Sequence, residues 1–144
     1  MTARREMGTE RETALSYLDE GRLLLLRLGL RAADEAEHSI VLDRALGRMG
    51  GKAHAAEIAA SLQALYEAKR LVTARGSIAG KRIILGDYFM SLAVELALPL
   101  RSKQTTDLLT EQMNTIGADA SNPLRGHSKK AFLEMVDRFC EEVS

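Results

Sequence analysis

Tryptophan is absent from this sequence, cysteine occurs once, and aromatic residues make up only 4% of the 144 positions. The lone cysteine, Cys140, excludes an intrachain disulfide and points to a cytoplasmic protein. It falls on the apolar side of the last predicted helix, which reads as a core position rather than a reactive thiol. Few aromatics and no β-branched runs argue against a sheet. Proline occurs only at Pro99 and Pro123, where it ends a helix and sits in a loop, respectively. Net charge is missing too: Lys+Arg and Asp+Glu each total 20. Without an excess of either sign, no long-range field draws the chain to nucleic acid or anionic lipid. The first residues, with Arg4 and Arg5, lack the apolar stretch of a secretory signal.

What is present is helix-forming. Hydrophobic residues make up 46% and charged residues 28%, and the composition leans on Ala, Leu, Arg and Glu. The spacing predicts an all-α fold, a single-domain bundle of about six helices over residues 9–144, after a flexible N-terminus at 1–8. The helices are expected over 9–28, 32–48, 53–75, 81–98, 102–116 and 128–143. Gly29, Gly50 with Gly51, and Pro99 supply the stops, and Ser102 or Thr105 and Ser128 the caps. The stretch from Gly117 to Gly126 reads as a loop. One window, Ile83 to Leu100, is apolar enough to raise a membrane span, but Asp87 and Glu95 within it favour a buried core helix and no transmembrane segment. Asp87, Ser91 and Glu95 recur at four-residue steps, so this helix carries one narrow acidic line. It must face water, a pocket or basic groups on a partner.

Catalytic machinery is not legible. His38, His54 and His127 are not paired by a helical turn, and no Cys/His or His/Glu spacing fits a metal site. The run Gly76-Ser77-Ile78-Ala79-Gly80-Lys81 lacks the Lys-Ser/Thr ending and preceding strand of a phosphate loop. No residue is therefore assigned a catalytic or metal-binding role, and no cofactor is expected on this chain alone. The cations Lys69, Arg70, Arg75, Lys81 and Arg82 flank the glycine connection. They read either as a solvated helix end or as contacts to diphosphate or an acidic partner, with Arg75, Lys81 and Arg82 the candidates. Ala56 to Leu62 has the look of a helix-turn-helix first helix. That makes a helical adaptor or transcriptional regulator with such a segment at 54–75 the alternative, although nucleic acid is not the expected partner of an uncharged chain.

The stretch Ile83-Ile84-Leu85-Gly86-Asp87-Tyr88-Phe89 resembles the "LAGDYL" helix of the trans-polyprenyl diphosphate synthases. Upstream, Ala56 to Val72, ending Leu65-Tyr66-Glu67-Ala68-Lys69-Arg70-Leu71-Val72, is similar to the "ELLHAASLVHDD" helix of that family, and together the matches cover about residues 52–100. Where the family's first aspartate-rich motif begins, this chain has Thr73-Ala74-Arg75, and Asp-Asp-x-x-Asp occurs nowhere. Those aspartates hold the magnesium that neutralises the leaving diphosphate. The resemblance is thus to the small, non-catalytic subunits (component I) of two-component heptaprenyl and hexaprenyl diphosphate synthases. It implies part of the isoprenoid synthase fold, a heterodimer with a catalytic large subunit that carries Mg, and indirect contact with the allylic diphosphate. The chain would be an accessory subunit of a prenyltransferase, inactive alone, that helps set product length in isoprenoid biosynthesis. Gly86, Asp87, Tyr88, Ser91 and Glu95 would meet the partner or line its tunnel.

Overall fold

The computed structural model describes residues 2–73, 79–121 and 129–143. Six α-helices account for most of them: α1 Thr2–Arg27, α2 Ile40–Met49, α3 Ala55–Thr73, α4 Ala79–Ala97, α5 Lys103–Ser121 and α6 Lys129–Val143. Short 3-10 turns occupy Glu35–His38 and Leu98–Leu100. No strand occurs among the described residues. The all-α expectation holds.

The centre of the bundle is α3. Every side chain from Ile58 to Ala68 is buried, and α1, α2, α4 and α5 all pack around it. Its alanines, at 55, 56, 59, 60, 64 and 68, keep the helix slim enough for neighbours on several sides. Leu62, Leu65 and Leu71 fill the spaces between them, each worth about 2–3 kcal/mol of apolar burial. Hydropathy, which ranks Ile and Leu above Ala, predicts the core position for the fourth helix instead. The structure reverses that order: small residues, rather than the greasiest ones, occupy the point where helices converge.

Helix ends follow local chemistry. Gly29, at φ +69°, ends α1 as expected, and Leu30 N–H closes the turn on Leu25 O at 2.8 Å. At its other end α1 begins at Thr2, so the stretch expected to precede the helix is helical from there on. The helix expected over 32–48 is divided. The Asp34 carboxylate accepts from Ala36 N–H at 3.0 Å and starts a 3-10 turn, and α2 begins only at Ile40. Two N–H groups of the first turn of α2, those of Val41 and Leu42, donate to Gln63 Oε1 at 3.0 and 3.1 Å. A buried glutamine on α3 thus caps α2 from outside. Ser102 Oγ accepts from Thr105 N–H at 3.2 Å and caps α5. That helix continues past Gly117 to Ser121, through the first part of the expected loop. The expected Ser128 cap, with His127, lies outside the described residues.

The last helix closes against α2. Phe132, Met135, Val136, Phe139 and Cys140 are buried along one face, and on its rim Asp137 takes Arg44 and Arg48 of α2. Arg48 also reaches Glu141 at 3.1 Å.

Candidate functional site

Two faces of α4 differ sharply. Leu85, Phe89, Ala93 and Ala97 recur at four-residue steps and are buried. Beside them Gly86 sits where α4 crosses α3: a Cβ there would come 2.4 Å from Val72 Cγ1. Ser61 Oγ of α3 donates to Ala93 O at 2.8 Å, a second tie across the same crossing. Tyr88 is half-buried, edge-on to Phe89, and its ring lies beside Gly21 of α1. Burial, then the nearby charges of Glu20 and Glu95, raise its phenol pKa.

The opposite face has no covering element among the described residues. Ile84 is 70%, Leu98 62% and Ile83 53% exposed, and Asp87, Ser91 and Glu95 are exposed between them. Only 28% of the most apolar part of Gly80–Leu100 is buried, although this segment is long and apolar enough to cross a membrane by length and composition. The expectation of a buried core helix is therefore corrected: α4 flanks the core. Between α4 and α5 this face deepens into an open groove of about 620 Å³, lined by Met90, Val94, Leu98 and Met113, with Asp87, Ser91 and Glu95 along it. Neither carboxylate has an ion-pair partner among the described residues. At the end of α1, Leu23, Leu26 and Leu28 are exposed as well.

The five residues singled out on this helix thus divide. Asp87, Ser91 and Glu95 line the groove together, whereas Gly86 and Tyr88 face α3 and α1 within the chain. Gly86 is a packing residue, and its lack of a side chain permits the close approach of α4 to Val72 of α3.

The described basic residues differ in their surroundings. Arg70 turns inward, donating to Leu30 O and to Glu67 Oε1, each at 3.3 Å. Lys81 is exposed at the start of α4. Arg82 is half-buried, its Nε without a hydrogen-bond partner among the described residues. Arg75 lies outside the described residues. The helix-turn-helix expectation fails on geometry. α3 runs unbroken through Gln63 and Ala64, both fully buried, so it offers neither the turn nor a free face to a DNA groove.

One cluster escaped the sequence. His38 and Glu67, 29 residues apart, meet in the core at 2.6 Å, Nδ1 to Oε2. His38 Nε2 accepts from Ala32 N–H at 3.1 Å. Nδ1 is thereby the protonated nitrogen and donates to the carboxylate. Both ring nitrogens are engaged, which leaves no lone pair to act as a general base. Around the pair, Gln63 Nε2 donates to Glu37 O at 3.0 Å, and Glu37 accepts from Tyr66 and Lys129. The arrangement fastens the segment between α1 and α2 to α3. Among the described residues no group of three His, Cys, Asp or Glu side chains could hold a metal ion.

Compared with family models, curated proteins and solved structures, the chain matches none.

Proposed function

We propose that this chain is the non-catalytic subunit of a heteromeric long-chain trans-polyprenyl diphosphate synthase. In that role it docks on a catalytic large subunit and helps set product length. The observation that carries the proposal is the outer face of α4, where Ile83, Ile84 and Leu98 are more than half exposed beside an open apolar groove. Apolar side chains presented together on one helix favour a standing partner over solvent. The resemblance of residues 83–89 to the family's "LAGDYL" helix supplies the partner's identity, and Thr73-Ala74-Arg75 in place of an aspartate motif supports an accessory role. Magnesium and the allylic diphosphate would then be held by the large subunit, in the cytoplasm.

Mixing the purified chain with a large subunit that carries both aspartate motifs tests the proposal. Expected is a stable complex that makes heptaprenyl- or hexaprenyl-length diphosphates from isopentenyl and farnesyl diphosphates. No complex and no gain in activity over the large subunit alone would overturn it.

A further inference from the structure

The groove between α4 and α5 has a chemistry that restricts what can fill it. Its walls are Met90, Val94, Leu98 and Met113, two of them methionines, whose unbranched side chains adapt to an incoming surface. Asp87 and Glu95 stand along the same groove, two helical turns or about 12 Å apart, with Ser91 between them. Both carboxylates are exposed and without an ion-pair partner among the described residues. An open apolar channel bounded by α4 and α5 accepts another helix laid along it, with apolar anchors at i, i+3, i+4 and i+7.

From this geometry we infer that the groove receives an amphipathic helix whose apolar stripe is flanked by Lys or Arg about two turns apart. The inference rests on the reading that the chain works through a partner, and it names the chemistry of the partner's docking element. Cations at that spacing reach Asp87 and Glu95 while the stripe covers Met90, Val94, Leu98 and Met113. Charge complementarity decides against the competing occupants. An anionic lipid surface would be repelled by the two carboxylates. A second copy docked antiparallel about Ser91 would set Asp87 against Glu95 of its twin, like charge on like.

The test uses the full chain and two synthetic amphipathic helical peptides. They share one leucine stripe, flanked in one by Lys and in its twin by Glu. Fluorescence anisotropy at low and physiological salt reads their binding. Expected is a preference for the basic peptide of about tenfold, falling with salt, which Asp87→Lys with Glu95→Lys abolishes or inverts. Both positions are exposed, so the variant keeps its helical circular dichroism. Equal binding of the twins, binding of neither, a preference that survives charge reversal, or concentration-dependent self-association through the groove would overturn the inference. The synthase assay separates this outcome from the proposed function. Lost peptide selectivity with intact product formation sinks the charge inference alone. Retained selectivity with no synthase activity sinks the prenyl reading alone.

Discussion

His38 and Glu67 form a fully buried hydrogen-bonded pair in which the imidazole donates from Nδ1 and accepts at Nε2 from Ala32 N–H. The pair stands at the junction of the 3-10 turn with α3, and Arg70 Nε approaches the second carboxylate oxygen at 3.3 Å. Removing one member leaves the other's polar atoms buried without partners, the costly case for interior polar groups. Glu67→Ala is expected to lower stability by about 2–4 kcal/mol in urea unfolding. In the wild-type chain, ¹⁵N-edited NMR should show His38 as the Nδ1–H tautomer. A loss below about 0.5 kcal/mol, or the Nε2–H tautomer, would contradict this arrangement.

Gly86 and Val72 make the second close contact on which the fold depends. A methyl group at position 86 would overlap Val72 Cγ1, and a β-branched valine on a helix cannot swing clear. Gly86→Ala should therefore destabilise by about 1–3 kcal/mol, although alanine is the better helix former. Val72→Ala in the same chain should recover most of that loss, and the double-mutant cycle on the purified chain measures the coupling. Additive single effects would place the cost elsewhere.

How much of this was legible beforehand depended on the range of each signal. Helix number and class came through because apolar periodicity and the stops at Gly29, Gly50 and Pro99 are local. The break at Asp34 did not, since no glycine or proline stop interrupts residues 32–46. What divides them is a side-chain cap at Asp34 together with Gln63, which comes from another helix to hold Val41 and Leu42 N–H. The acidic line of Asp87, Ser91 and Glu95 was readable from four-residue spacing, but its apolar companions across the groove were not. Met113 belongs to α5, and nothing local links it to Met90. His38 and Glu67 were invisible for the same reason: their pairing is tertiary.

The clasp between α2 and α6 carries a pH dependence. Asp137 accepts from Arg44 Nε and Nη2 at 2.7 and 2.6 Å and lies 2.8 Å from Arg48 Nε. The Arg44 hydrogen bond, outweighing partial desolvation, lowers the Asp137 carboxyl below its usual range. A depressed folded-state pKa gives stability that is present above the unfolded value, about 3.9, and lost as pH falls through the folded one. Asp137→Asn should thus cost about 1 kcal/mol at pH 7, and the gap between variant and wild type should close as pH falls below the usual carboxylate range. Urea midpoints across that range are the measurement. A gap that is constant with pH would show that packing at α6, rather than the ion pair, carries the effect.

Cys140 illustrates burial acting on reactivity. It is fully buried on the inner face of α6, and burial, reinforced by the charge of Asp137, pushes its thiol up to about 11. At pH 8 only about one molecule in a thousand would carry the thiolate, and alkylating reagents react with the thiolate rather than the thiol. The folded chain should therefore resist iodoacetamide at pH 8, and modification should follow the opening of α6 from α2. Asp137→Asn, by loosening that clasp, is expected to speed labelling by about fivefold, the factor that corresponds to about 1 kcal/mol of lost stability when reclosing outruns the reagent. Cysteine modified in the native state at the rate of a free thiol would mean that α6 does not close over it, and the burial described for Phe139 and Val136 beside it would fall as well.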